Sequence, residues 1–245
     1  MSSSAAAAIV WDFDGTLVDS RLRNLSVTRA IVEHITGRPA ASFAALISVE
    51  DYRAADARCT NWREFYHREL ELDDTDLDLA GRLWREFQER ERTPMPLYDG
   101  IAETLGALRT LPHGIFSQNS RDNIASTLRA TALDSYFRVV IGFEEVGANR
   151  EKPWPDGFLM CVESLTRLRP GRVFYVGDHE TDALCAANAR TEILERDLGI
   201  EVLTIAALYG AHTPAAWTDS CDYCAAHPSD VVRIVTSHAV RGCGD

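Results

Sequence analysis

The chain has 245 residues, of which 46% are hydrophobic and 25% are charged, as is typical of a globular protein with a substantial core. It carries 25 lysines and arginines against 37 aspartates and glutamates, so its formal net charge is −12. The basic residues are scattered, and the basic face of a nucleic-acid binder is not expected. No run reaches the roughly 20 apolar residues that cross a membrane.

The first residues carry no positively charged segment and lead directly into an apolar run at Ile9–Trp11. Cleavage of a signal peptide there would remove a predicted strand, so we expect no secretory signal and a cytoplasmic location. We expect the first five residues to form a frayed tail.

Five short apolar runs bounded by turn residues predict strands buried on both faces of a parallel sheet. They are Ile9–Trp11, Gly114–Phe116, Val139–Gly142, Val173–Val176 and Val202–Ala206. Helical patterns separate them over most of the chain. This alternation predicts a three-layer α/β/α core with a doubly wound parallel sheet.

The segment after the first strand breaks the alternation, because residues 21–93 show helical periodicity and no strand pattern. Val27, Ile31 and Ile35, for example, recur every four residues. We predict an all-helical cap domain over residues 21–94, inserted into an α/β core formed by residues 1–20 and 95–245. Three aromatic residues within the insertion recur at helical spacing, which predicts core packing rather than a ligand-binding pocket: Trp62, Phe65 and Tyr66.

Polar residues follow the predicted strands at the edge where open α/β sheets bind ligands. Asp12 and Asp14 follow the first strand, and two carboxylates so close together raise one another's pKa unless a cation or a reaction requires them. The others are Ser117, Lys152, Asp178 and Asp182. Each alone could cap a helix or be a solvated loop charge, but their joint occurrence predicts a site.

The motifs Asp12–Thr16, Ser117, Lys152 and Gly177–Asp182 together resemble the four motifs of the haloacid dehalogenase-like hydrolase superfamily. The sequence Lys-Pro-x-Pro-x-x-Phe at Lys152–Phe158 is similar to the phosphoglycolate phosphatase and β-phosphoglucomutase branch. The resemblance implies a Rossmann-like core with a helical cap. It also implies an Mg²⁺-dependent phosphatase that hydrolyses a small phosphorylated metabolite, a phosphomonoester, through an aspartyl-phosphate.

The resemblance implies a catalytic role for four residues. Asp12 would attack phosphorus, and Asp14 would protonate the leaving oxygen and then deprotonate the attacking water. Ser117 would hydrogen-bond a phosphoryl oxygen, and Lys152 would neutralise charge on the transferring group.

The resemblance also implies a metal site and a substrate-binding loop. Mg²⁺ would be held by Asp12, Asp178 and the backbone carbonyl of Asp14, with Asp182 supporting these ligands. The residues implied to contact the substrate are Gly15, Thr16, Gln118 and Asn119.

Two alternative functions stay open, a phosphomutase and a catalytically silent binding protein on the same fold. Within the family that the chain resembles, dehalogenases typically lack an acid at the position of Asp14, so a dehalogenase is not expected. A phosphonate hydrolase of this branch would need a cap lysine that forms a Schiff base, and residues 21–93 contain no lysine. The sequence does not choose among phosphoglycolate, a sugar phosphate, a nucleotide and pyrophosphate, or between a monomer and a weak dimer. It assigns no role to the stretch 191–199 or to the cysteine pair Cys221 and Cys224.

Overall fold

The computed structural model describes residues 6–59, 61–147, 150–211 and 216–239, so the predicted tail at residues 1–5 lies outside the described part. The chain divides into two units. One consists of Met1–Asp19 and Leu97–Asp245, and the other of Ser20–Pro96. We call them the core unit and the helical unit.

In the helical unit, which is described except at residue 60, the structure shows four α-helices and two short 3₁₀ turns. The helices are α1 (Arg21–Thr36), α2 (Val49–Asp56), α3 (Trp62–Leu70) and α4 (Asp74–Arg90). Polar side chains cap three of them: Ser48, Asn61 and Asp73 each accept a backbone N–H three residues on. The unit buries its own apolar cluster, which includes Phe65 and Tyr66, whereas Trp62 is partly exposed. Its function as a cap stays a prediction.

The core unit is built on a six-stranded parallel sheet of strand order β3-β2-β1-β4-β5-β6. The strands are β1 (Ala6–Trp11), β2 (His113–Phe116), β3 (Phe137–Ile141), β4 (Gly171–Gly177), β5 (Ile200–Ala207) and β6 (Tyr223–Ala225). The predicted parallel α/β class is therefore confirmed. Strand β6 was not predicted, because a strand of three residues is too short for a recognisable pattern.

Within the described ranges of the core unit, six helices connect these strands or follow them. They are α5 (Ile101–Ala107), α6 (Arg121–Ala130), α7 (Asp156–Thr166), α8 (Glu180–Glu195), α9 (Leu208–Ala211) and α10 (Pro228–Ala239). Helix α7 packs on β1, β2 and β3 and also on α8, whereas α5 packs on α10. From β1 the chain adds β2 and β3 toward one edge of the sheet, and it then crosses back to add β4, β5 and β6 toward the other edge. Because crossovers between parallel strands are right-handed, α5 and α6 lie on one face of the sheet and α7 and α8 on the other. Most of the stretch 191–199 continues α8.

The core beneath α7 and α8 is apolar and closely packed. Val10 of β1 and Tyr175 of β4 lie in it with Phe158 and Cys161 of α7 and Ala186 of α8. This rigid layer supports the carboxyl ends of the strands. No helix in the described ranges combines the length and the apolar character needed to cross a membrane.

A buried histidine joins β1 to β2. Trp11 Nε1 donates to His113 Nδ1 at 3.0 Å, so the ring proton lies on Nε2, which donates to the carbonyl of Leu108 at 3.0 Å. Burial lowers the pKa of His113, and the nearby Arg138 lowers it further. The ring is therefore held neutral in the folded protein.

Candidate active site

The first motif is a tight turn at the end of β1. The backbone N–H of Asp12 donates to the carbonyl of Val176 at 2.8 Å, which ties the turn to β4. Gly15 has φ +78, and a Cβ atom there would lie 2.0 Å from Oδ2 of Asp178. Glycine is therefore required both for the backbone conformation and for the close approach of Asp178.

Lys152 is the buried cation of the site. Its Nζ donates to Asp12 Oδ1 at 2.5 Å and to Asp182 Oδ1 at 2.7 Å, and the side chains involved are 2%, 9% and 7% exposed. The ammonium lies 5.1 Å from the ring centre of Phe116 and 5.5 Å from that of Tyr175. Ion pairing and aromatic contacts together compensate for the desolvation of the charge.

Asp182 is held by donors on both carboxylate oxygens. Besides Lys152, the hydroxyl of Tyr175 donates to Oδ1 at 2.9 Å, and the backbone N–H of His179 donates to Oδ2 at 3.1 Å. Asp182 therefore fixes the position of Lys152. Sequence reasoning missed Tyr175, because a tyrosine inside an apolar strand gives no functional signal.

Three carboxylates converge beside this lysine. Asp12, Asp178 and Asp182 each offer an oxygen, and these atoms lie within 4.8 Å of one another. Burial raises the pKa of Asp12 to about 7, although Lys152 lowers it. Burial also raises the pKa of Asp178, and the neighbouring carboxylates of Asp12 and Asp182 raise it further.

This donor set fits a hard divalent cation. All three groups offer oxygen, the ligand type that Mg²⁺ prefers. Asp182 already accepts from Lys152, Tyr175 and His179, so Asp12 and Asp178 are the carboxylates best suited to bind metal. A bound cation would relieve the repulsion that raises their pKa values.

The loop after β2 carries the second motif. Ser117 is buried, its backbone N–H donates to the carbonyl of Ile141, and its Oγ accepts the N–H of Asn119 at 3.1 Å. Gln118 is exposed, and its amide donates to the carbonyl of Lys152 at 3.3 Å.

Asn119 reaches the first motif. Its Nδ2 donates to Oδ2 of Asp14 at 2.8 Å, although the two residues are 105 positions apart in the chain. Thr16, another predicted site residue, is fully buried and donates its hydroxyl to Asp178 Oδ1 at 3.1 Å. The sheet thus gathers all the predicted site residues at the carboxyl ends of β1, β2 and β4 and in the loop before α7.

The family follows from a comparison with known proteins. A profile of the haloacid dehalogenase-like hydrolases matches residues 6–190, which span β1 to the body of α8 and include all four motifs. The chain belongs to this family. The predicted superfamily and the prediction of a hydrolase are confirmed.

Individual relatives of this hydrolase carry phosphatase names. A phosphoglycolate phosphatase of Synechococcus elongatus is 28% identical over 94% of this chain and 97% of that protein. The pyrophosphatase PpaX of Listeria monocytogenes is 31% identical over 49% of this chain and 56% of its own length, so this match spans only about half of each protein.

Solved structures share the fold of the hydrolase. A Lactobacillus plantarum protein superposes with a TM-score of 0.74 at 19% identity, covering 94% of this chain and 99% of that chain. A haloacid dehalogenase-like family hydrolase from Streptococcus pneumoniae superposes with a TM-score of 0.69 at 18% identity, covering 95% and 99%.

Helix α9 adds a support that the sequence did not indicate. A Cβ atom at Gly210 would lie 1.7 Å from the carbonyl oxygen of Gly15 and 3.5 Å from Cβ of Asp178. The backbone of α9 therefore packs directly against the turn that carries Asp12. The preceding Tyr209 stacks edge-on against Tyr98 with ring centres 5.5 Å apart. Only the close approach of two distant backbones reveals why glycine occupies position 210.

Arg190, in α8, and the cysteine pair Cys221 and Cys224 lie outside the four motifs. Arg190 donates to the carbonyl of Val202 at 3.0 Å and pairs with Asp222, which also accepts from the backbone and hydroxyl of Thr204. Burial raises the pKa of Cys221 to about 11, so its thiolate is scarce at neutral pH, and Cys224 is exposed.

Two arginines of the helical unit also have partners within that unit. Arg58 pairs with Glu69 at 2.9 Å, and Arg63 pairs with Asp78 at 3.1 Å. These pairs fit solvated helix-face charges.

Proposed function

We propose that this hydrolase is an Mg²⁺-dependent phosphatase that releases phosphate from a small phosphomonoester through an aspartyl-phosphate on Asp12. The observation that carries the proposal is the buried ammonium of Lys152, which bridges Asp12 and Asp182 at 2.5 and 2.7 Å. Phosphoryl transfer requires mainly positioning and charge neutralisation, and this bridge provides both at the nucleophile.

In the first half-reaction, a carboxylate oxygen of Asp12 attacks phosphorus, and the bond from phosphorus to the ester oxygen breaks. Lys152 holds Asp12 in one orientation and neutralises part of the charge carried by the phosphoryl group. In this proposal the hydroxyl of Ser117, which is buried at the end of β2, donates a hydrogen bond to a phosphoryl oxygen.

Asp14 acts as the general acid and the general base of the proposed reaction. It gives a proton to the departing ester oxygen and then takes one from the water that cleaves the aspartyl-phosphate. The two carboxylates thereby divide nucleophilic and acid–base work. Their spacing in the turn keeps both at the end of one strand, and the rigid sheet fixes their separation.

The metal would be held by Asp12, Asp178 and the backbone carbonyl of Asp14. When bound, Mg²⁺ supplies positive charge that favours the ionised nucleophile and the charge on the phosphoryl group. The hydroxyl of Thr16 holds Asp178 in place through the bond at 3.1 Å, and Gly15 makes room for that carboxylate.

Phosphoglycolate is the first substrate to test. The Synechococcus elongatus phosphoglycolate phosphatase matches 94% of this chain, which supports a small carboxylated phosphomonoester. Pyrophosphate follows, because the PpaX pyrophosphatase matches half of the chain. Sugar phosphates and nucleotides complete the panel.

The proposal is tested by phosphate release from this panel with Mg²⁺ or with a chelator. Asp12→Asn keeps the shape of the nucleophile and serves as the inactive variant, and Asp134→Asn makes the same change at an exposed position of the core unit. We expect metal-dependent release by the wild type and Asp134→Asn, and none by Asp12→Asn. Release that persists in Asp12→Asn would refute the nucleophile. Isomerisation of a sugar phosphate without net phosphate release would identify a phosphomutase instead.

A further inference from the structure

The side-chain amide of Asn119 has a fixed orientation. Its Oδ1 accepts the backbone N–H of Ser120 at 2.8 Å and Nδ2 of Asn123 at 3.0 Å. Because a backbone N–H can only donate, the atom that faces Ser120 must be the carbonyl oxygen. The amide nitrogen therefore faces Asp14, to which it donates at 2.8 Å.

The backbone around Asn119 is held as firmly as its side chain. Its N–H donates to Ser117 Oγ, and its carbonyl accepts the N–H of Phe143. Asn123 lies in the first turn of α6, where Ser120 caps the helix by accepting the N–H of Asn123. The rigid start of a helix thus fixes the amide that contacts Asp14.

Asn119 has little surface to offer a substrate. It is 5% exposed, whereas its neighbour Gln118 is exposed. Its side chain hydrogen-bonds to three groups of the protein itself, and one of these is the carboxyl group of Asp14, the proposed acid–base residue. This arrangement is typical of a residue that orients another side chain.

We propose that Asn119 is a positioning residue for Asp14 and that Asn123 holds Asn119 in place, a relay in which Asn123 donates to Asn119 and Asn119 donates to Asp14. The inference rests on the proposed phosphatase function and assigns an atom to its proton transfer. Since Oδ2 of Asp14 accepts the amide N–H, the proton that Asp14 gives to the leaving oxygen is carried by Oδ1. Asp14 becomes the carboxylate as the ester oxygen becomes the alcohol, and Oδ1 later accepts a proton from water.

The relay predicts a dependence on the leaving group. An alkyl phosphate needs a proton on its departing oxygen, whereas an aryl phosphate with an acidic phenol leaves readily as the anion. The ratio kcat/KM reports the first half-reaction, in which this proton is given. Loss of the relay must therefore lower kcat/KM much more for an alkyl ester than for an aryl ester.

The experiment compares Asn119→Asp with the wild type on the preferred alkyl ester of the panel and on p-nitrophenyl phosphate. The variant keeps the shape and the acceptor oxygen of Asn119. It replaces the N–H donor that faces Asp14 by a carboxylate oxygen, which cannot donate when ionised and repels the carboxylate of Asp14. We expect kcat/KM to fall roughly 10²-fold for the alkyl ester and by less than about tenfold for the aryl ester, with the alkyl effect mainly in kcat. Asn123→Ala should show the same pattern with a smaller amplitude.

Asn61→Asp is the matched control, since it makes the same chemical change at an exposed helix N-cap where aspartate serves equally well. It should leave both esters unaffected. Equal losses on both esters in Asn119→Asp, or a rise in KM alone, would overturn the positioning role and indicate substrate contact. If Asn119→Asp does not fold, Asn123→Ala decides by the same ratio.

Failure of this inference is distinguishable from failure of the proposed function. If Asp12→Asn hydrolyses the esters as fast as the wild type, the phosphatase proposal fails. If Asp12→Asn is inactive and the Asn119 and Asn123 variants show no leaving-group dependence, only the relay fails.

Discussion

Replacing Lys152 by methionine tests whether the buried ion pairs of the site are also structural. At an effective dielectric constant of about 20, two unit charges at the observed separations of 2.5 and 2.7 Å attract with roughly 6 kcal/mol for each pair. Desolvation of the charges offsets most of that attraction. Removal of the cation alone leaves Asp12 and Asp182 buried and mutually repulsive, and breaking such a pair costs about 3–5 kcal/mol.

We therefore expect Lys152→Met to lower the free energy of unfolding by about 3–5 kcal/mol without divalent cations. For a chain of this size the melting temperature falls by roughly 2–4 °C per kcal/mol, so a decrease of roughly 6–20 °C follows. Thermal and urea denaturation, followed by circular dichroism in the presence of a chelator, measures both quantities.

The control is Arg172→Met, which breaks an ion pair with Glu201 whose side chains are 28% and 54% exposed. Arg172 is half-buried and also donates to the carbonyl of His238 at 3.2 Å, but water screens the pair and neither partner is buried. This variant should therefore lose only about 1 kcal/mol, well below the loss expected for Lys152→Met. If Lys152→Met loses no more stability than Arg172→Met, the buried carboxylates are not held by the lysine charge and the reasoning is refuted.

Three further predictions concern metal binding, packing and pH. Mg²⁺ at a hundredfold excess over Kd should stabilise the wild type by about 2.7 kcal/mol. Thermal melts should show the corresponding rise in melting temperature in Asp134→Asn but not in Asp178→Asn. An equal rise in all three proteins would argue against the metal site. Gly210→Ala forces a methyl group into the turn that carries Asp12, so it should lower the free energy of unfolding by roughly 1–3 kcal/mol or more and reduce activity. In the same denaturation assay Gly106→Ala should be neutral or slightly stabilising, because a Cβ atom there has its nearest contact at 3.7 Å. Burial lowers the pKa of His113 in the folded state, so the neutral ring contributes its full stability above the unfolded pKa of about 6.5 and loses it as the pH falls through the folded pKa. The free energy of unfolding, measured with urea between pH 7 and 5, should therefore fall more steeply in the wild type than in His113→Gln. Parallel curves for the two proteins would contradict this prediction.

Much of the fold can be predicted from the sequence, because the patterns that indicate strands and helices are local. The centre of β4, Val173–Val176, is a continuous apolar run, and the strand ends at Gly177, immediately before Asp178. Parallel sheets bury both faces of such runs, so polar residues are left to the ends. The same locality explains why β6 was missed, since Tyr223–Ala225 carries too few residues for a pattern.

The sequence by itself determined which residues stand at the ends of the strands, because chain order and apolar patterning fix those positions. Only the tertiary structure decided their partners. The strand order sets β1 between β2 and β4, which brings Asn119 to Asp14 and Lys152 to both Asp12 and Asp182. Hydrogen bonds and ion pairs act over about 3 Å, so they depend on the spatial arrangement of strands far apart in sequence.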